Sequence, residues 1–352
     1  MLKCCDSLFW WKLLLPAMAV SLACGTPSDR CAAPGRAEIE AIERGNEMPA
    51  GIATLRDHWI RASLDWVTEV LYQSQPDTVR SPIRKQALAV LDDVLHLEQA
   101  PDLAAVADFY HDRINRTLSG IEGQAPESGA IIWKLYNHGF VVRTAGHCYA
   151  FDIFPGVGAA TMSREQMLRL AGAVEVMFVS HRHRDHASRE FTRLLLDLGK
   201  TVVVNPDIWP EDKDFPDGLV RIGGHSQEHA GSIEFRVFDG HQGDIPNNVY
   251  LVQTDGVSVM HTGDQYSSND LDSWITAFDA DTKVDVLLPN CWTMDIGRMV
   301  AAISPSVVIT GHENELGHMV YKRESYGKSY LLLNDLSAPY VMMTWGESYH
   351  FN

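Results

Sequence analysis

The chain has 352 residues, with 29 Lys and Arg against 46 Asp and Glu for a formal charge of −17, and 45% of it is apolar. That much apolar material supports a substantial core in one large domain or two smaller ones, and it excludes a mostly disordered chain. So acidic a balance argues against sequence-independent binding to a nucleic-acid backbone, and no nucleic-acid partner is expected.

The first 23 residues read as a signal peptide. Lys3 and Lys12 precede an apolar run from Leu13 to Ala23 that fits an export signal and is too short to span a bilayer as a free helix. Ser21-Leu22-Ala23-Cys24-Gly25 resembles the lipobox of bacterial lipoproteins, where the cysteine becomes the lipidated first residue. Ser21 stands where that pattern prefers leucine, so ordinary cleavage and an uncleaved anchor stay open beside it. The expectation is an exported protein, a periplasmic or cell-envelope lipoprotein associated with the membrane through Cys24. Cys31, Cys148 and Cys291 would remain, an odd number without CxxC spacing, from which neither a disulfide framework nor a zinc ribbon can be built.

Residues 24–36 form a turn-rich tether, and residues 37–125 read as a helical N-terminal region. Ile52, Leu55, Trp59, Leu64, Val67 and Leu71 recur at three-to-four spacing; Ser81 and Pro82 supply an N-cap and first helical residue; a third helix ends near Gly120. His58, His96 and His111 lie on these helices without metal-ligand spacing.

After the polar linker 120–129 the pattern changes to short apolar runs with period two, so residues 126–352 form a second region. Strands are expected from Ile131, Phe140, Cys148, Val174, Thr201, Ile233, Val249, Val257, Val284 and Val307. Helices are expected at Ser163–Ala171, Ser188–Leu198 and Met294–Ile303. This mixture implies a layered α/β body.

Histidine is the anomaly: 15 are present, and 12 of them fall between His138 and His350. The strand VEVMFVS runs into His181-Arg182-His183-Arg184-Asp185-His186, an HxHxDH cluster. Three imidazoles and a carboxylate in one loop are the donors a borderline divalent ion such as zinc takes. Downstream, His241 ends the strand IEFRVFDG, Asp264 follows VSVMHT, and His312 follows VVIT. Each ligand-type residue stands at or beyond the end of an apolar strand, where sheet proteins place their sites.

In this order the motifs resemble the metallo-β-lactamase superfamily over about residues 130–350. The resemblance implies an αββα sandwich with a dinuclear metal site at one edge. His181, His183 and His241 would hold the first ion, and Asp185, His186 and His312 the second, with Asp264 bridging them. A carboxylate bridge suits two cations about 3.5–4 Å apart, since it relieves their repulsion. Asp152, in YAFDI, matches an aspartate that orients a ligating histidine. The opening IIWKLYNHGFVVRTAGHCYAFDI looks most like the subgroup of ascorbate-6-phosphate lactonase-like proteins and N-acyl-phosphatidylethanolamine phospholipase D.

The implied activity is that of a dinuclear metal-dependent hydrolase, in which hydroxide formed between two ions, most readily zinc but also manganese or iron, cleaves an ester, lactone or phosphodiester bond. The substrate would be a small molecule or a lipid. Asp185, Asp264 and His318 are the candidate catalytic residues, with Asn314, Glu315 and His138 as further pocket residues. Arg182 and Arg184, between the ligands, suit an anionic substrate or are solvated charges. Trp345, Tyr349 and His350 read as a packed last strand or as residues docked near the cleft, and His225 and His229 as loop residues. Alternatives are a binding protein that kept the fold without catalysis, or an iron-dependent oxidoreductase.

Overall fold

Strands hydrophobic on both faces need cover on both sides, and the computed structural model supplies it with two seven-stranded sheets packed between helical layers. It describes residues 50–210, 215 and 217–352. The leader, Cys24 and the tether lie outside the described residues. No helix among the described residues is long and apolar enough to cross a membrane.

Arg56–Asn352 form one compact unit. Its N-terminal part holds helix α1 (Ala50–Gln73) from Arg56 onward, α2 (Pro82–Leu95) and α3 (Ala104–Glu122). Ser81 caps α2 through its side chain, with Pro82 leading the helix.

The first sheet contains β1 (Ala130–Lys134), β2 (Phe140–Arg143), β3 (Cys148–Phe151), β6 (Val176–Val179), β7 (Thr201–Val204), β8 (Leu219–Arg221) and β16 (Glu347–Phe351). A small hairpin, β4 (Gly156–Val157) and β5 (Ala160–Thr161), follows β3. Helices α4 (Arg164–Ala173) and α5 (Arg189–Asp197) make the crossovers between the parallel strands β3, β6 and β7. Ser163 starts α4 with a reciprocal capping box to Gln166.

The second sheet runs β15 (Tyr340–Val341), β14 (Val307–Ile309), β13 (Val286–Leu288), β12 (Val257–His261), β11 (Ile245–Thr254), β10 (Ile233–Gln242), β9 (Ser226–Ala230). Helices α6 (Ile296–Ile303) and α7 (Tyr326–Leu333) connect its parallel part.

Period-two alternation sorts the strand residues between two cores. Ile132, Val142, Tyr149, Phe151, Val176 and Phe178 point into the core between the sheets. There Phe178 meets Phe235 and Tyr250 of the opposite sheet at ring distances of 5.0 and 5.2 Å. Their neighbours Trp133, Val141, Cys148, Ala150, Met177 and Val179 face the helices. The fold is therefore an αββα sandwich.

One expectation needs correction. GGHSQEHAGS is not all loop, since His229 lies in β9, paired with β10 opposite Glu234; a polar edge strand exposes alternate residues and carries no hydrophobic period. His225 precedes that strand and packs edge-on against Phe238 and Trp274. At the chain end, Trp345 is fully buried against Tyr110 and Tyr136, Tyr349 is partly buried in β16, and His350 is exposed.

Candidate metal centre

The candidate residues converge because the two sheets present strand ends to a common edge. The parallel strand β6 leads into His181 and the parallel strands β12 and β14 into Asp264 and His312, and β3 delivers Asp152. Bonds between the sheets fix this edge: Asn248 N–H donates to Ser180 O at 2.8 Å, and the Tyr250 hydroxyl to Val179 O at 2.9 Å. His312 N–H donates to Asn137 O at 3.0 Å and adopts a left-handed φ of 75°. Gly311 beside it could be nothing else, since a Cβ would lie 2.1 Å from the His138 ring.

One carboxylate oxygen organises the cluster. Asp264 Oδ2 lies 3.2 Å from His186 Nε2, 3.4 Å from His312 Nε2 and 3.7 Å from His181 Nε2. Asp185 Oδ2 faces His312 Nε2 at 3.4 Å and His186 Nε2 at 3.5 Å. The structure thus brings together two ligand groups, His181 with His183 and Asp264, and Asp185 with His186 and His312; within each, the ligand atoms lie within 4.8 Å of one another. His241 falls in neither group. Its side chain is 40% exposed, and its backbone carbonyl accepts the Tyr266 N–H at 2.7 Å, which tethers it to the loop that carries Asp264.

The far nitrogen of each ring is held by a hydrogen bond, which sets its tautomer and aims the other lone pair. His186 Nδ1 donates to Asp152 Oδ2 at 2.8 Å. His181 Nδ1 donates to Ser180 Oγ at 3.0 Å, and that hydroxyl donates to Asp152 Oδ2 at 2.6 Å. Asp152, fully buried with φ 45°, therefore orients two rings at once. His241 Nδ1 lies 3.1 Å from each oxygen of Asp270.

The donor set fits divalent metal ions. His181 Nε2, His186 Nε2 and Asp264 Oδ1 are buried without a hydrogen-bond partner, an arrangement that costs free energy unless a cation or proton satisfies it. Burial works against protonating His312, yet the carboxylates of Asp264 and Asp185 outweigh it and push its pKa up to about 10. Burial likewise opposes ionisation of Asp264, and the His186 and His312 rings overcome that to hold it well below the usual carboxylate range. His181, desolvated and beside His186, is pushed down to about 3. The site is a buried nest of carboxylates that favours positive charge, which protons on its imidazoles or divalent ions held by the deprotonated rings could supply.

Of the further sequence candidates, His318 is exposed and stacks on His312 at 5.7 Å between ring centres. With Asp185, Glu315, Arg184 and Phe154 it lines a cleft of about 180 Å³. Burial pushes the Glu315 carboxyl up to about 7. His138 is fully buried, its ring 4.2 Å from that of His261 and its Nδ1 3.9 Å from Asp264 Oδ1. His261 is committed elsewhere: it accepts the Gly263 N–H on Nδ1 and donates from Nε2 to His138 O.

Sequence reasoning missed Ser180, Asp270, Asn137 and Trp292. Asn137 Nδ2 donates to Asp185 Oδ2 at 3.0 Å, and Trp292 packs edge-on against His312 at 5.4 Å. The serine directly before HxHxDH was the one legible signal. The others reach the site only through tertiary structure.

No protein-family model and no curated protein matches the chain. Its structure is similar to that of Igni18, a metallo hydrolase of the archaeon Ignicoccus hospitalis, with TM-score 0.50, 18% identity, and 64% of this chain and 99% of that chain covered. A protein described as a possible metal-dependent hydrolase from Veillonella parvula gives TM-score 0.50 and 15% identity, covering 64% of this chain and 100% of that one. YhfI, a metallo-β-lactamase-fold protein of Bacillus subtilis, gives TM-score 0.45 and 10% identity over 63% of this chain and 99% of that chain. The chain has the metallo-β-lactamase fold.

Proposed function

We propose that the protein is a dinuclear metal-dependent hydrolase acting on an ester, lactone or phosphodiester bond. The observation that carries this reading is Asp264, whose Oδ2 stands between imidazole nitrogens from both ligand groups. His181, His183 and Asp264 would hold one ion and Asp185, His186 and His312 the other, with Asp264 shared and His241 completing the first set once its ring turns inward. Two bound divalent ions, zinc foremost, would polarise an acyl or phosphoryl oxygen and bring the pKa of a water down to about 7.

The chain's own residues do the rest. Asp152 and Ser180 lock the rings of His186 and His181 so that no reorganisation is needed on binding. Asp185 and Asp264 are the carboxylates placed to take a proton from water at the centre. His318, at the cleft wall beside His312, is placed to hand a proton to a departing group. Phe154 lines the cleft and Trp292 packs against His312, apolar bulk that would limit water at the centre.

Elemental analysis of the purified chain tests the reading. The expected result is close to two transition-metal ions per wild-type chain and loss of at least one in Asp264→Ala. A wild-type protein that binds no such ion, even after incubation with zinc or manganese, overturns it. Lactone, phosphodiester and β-lactam reporters then separate the bond types.

A further inference from the structure

The metal-site cleft does not end at Arg184. Phe154, Val157 and Arg184 line both that cleft and a larger groove of about 620 Å³ running away from it. The floor of the groove is apolar, formed by Phe154, Pro155, Val157 and Trp209. Among the described residues Arg182, Arg184, Arg189 and Glu190 are its charged lining. Arg182 is partly neutralised by Asp207 at 3.3 Å, and Arg189 lies over the Phe215 ring at 5.1 Å. Arg184 is exposed, and among the described residues no acidic side chain pairs with it.

In a chain of formal charge −17 an exposed arginine that no described acid pairs runs against the overall field. It stands at the junction between the reactive centre and an apolar trough. We propose that this groove binds an amphiphilic anion: a phosphate or carboxylate held by Arg184, with an apolar chain lying along Phe154, Pro155, Val157 and Trp209. Arg184 is then a specificity-determining residue, placing the scissile bond of such a substrate beside Asp185 and His318. As a statement about substrate class the inference rests on the hydrolase reading; as a statement about binding it does not.

Calorimetric titration of the metal-loaded full chain with octyl phosphate, octanol and inorganic phosphate tests it. Octyl phosphate is expected to bind at least tenfold more tightly than either of the others, because only it uses both halves of the groove. Arg184→Gln should weaken octyl phosphate about tenfold and leave octanol unchanged, Arg184→Lys should recover part of the loss, and Trp209→Ala should weaken octyl phosphate but not inorganic phosphate. Equal octyl phosphate affinity in wild type and Arg184→Gln overturns the proposal, and so does inorganic phosphate binding as tightly as octyl phosphate. Metal content measured on the same samples keeps the two readings apart: a metal-free chain that still discriminates octyl phosphate through Arg184 sinks the hydrolase, not the groove.

Discussion

Asn314, two residues beyond His312, donates from Nδ2 to the carboxylate of Asp92 on helix α2 at 2.8 Å. The same carboxylate accepts the backbone N–H groups of Tyr326 and Gly327, each at 2.9 Å, at the start of α7. Arg323 strengthens the tie, donating to the carbonyls of Leu95 and Leu97 on one side and of His318 and Leu316 on the other. The N-terminal helices thus grip both ends of the loop that carries His312 and His318.

Replacing Asp92 by alanine strands three donors in a buried site. The expected cost is about 2–4 kcal/mol in denaturant unfolding, together with weaker binding of the second metal ion because His312 is no longer held at its left-handed backbone angle. A variant destabilised to that extent yet binding both ions with wild-type affinity would separate the helices from the site.

Asp152→Asn tests orientation rather than shape. The amide keeps the volume but loses the charge that fixes His186 Nδ1–H and, through Ser180, His181. Metal affinity, read by competition with a chromophoric chelator, should fall 10- to 100-fold, a range of roughly the size known for such partners. Unchanged affinity would remove Asp152 from this role.

Much of the centre was legible because its residues are local or end apolar strands. HxHxDH follows β6 almost directly, and Asp264 and His312 open the loops after β12 and β14. Asp270 on His241 and Asn137 on Asp185 were not legible, since both arise from tertiary packing and neither stands in a ligand pattern. The link from Asp92 to Asn314 spans 222 residues, so nothing in the spacing of either points to the other. Helix α7 escaped notice for a local reason: Ser325 caps it, but Gly327 interrupts its first turn and Leu331 and Leu332 remain exposed, so its apolar period is weak.

Chelation should lower stability as well as remove metal. The proposed ligands come from loops of both sheets, so bound ions would tie the halves of the sandwich together. Saturation at a thousandfold excess over Kd stabilises by about 4 kcal/mol, corresponding to a drop of roughly 10 °C in melting temperature when a chelator strips the site. A melting temperature indifferent to chelator would show that the ions do not bridge the sheets.

Glu347 predicts an acid limit. It is buried between Arg84 and Arg113, pairing with the first and lying 3.4 Å from the second. Burial opposes its charge, but the two arginines win and hold its pKa below the ordinary 4.5. A depressed carboxylate contributes stability fully above its unfolded value and loses it as pH falls through the folded one. Glu347→Gln should therefore be several kcal/mol less stable than wild type at neutral pH, about 3–5 kcal/mol for a broken buried pair. The gap should close as pH drops below 4.5. A gap independent of pH in urea titrations would mean that the carboxylate is not ionised there.

That triad also sets an order in time. Arg84 and Arg113 belong to helices made early, while Glu347 lies in β16, which supplies β1 with its outer neighbour from Ala130 to Lys134. Until residues 347–351 have been synthesised, both guanidinium groups lack their counter-charge and the outer side of β1 stays unpaired. A ribosome-bound chain stopped before Glu347 would hold every proposed metal ligand and still be unable to close its helical layer. Completion of the fold waits on a single late strand, and truncations there should yield aggregating chains rather than smaller folded ones.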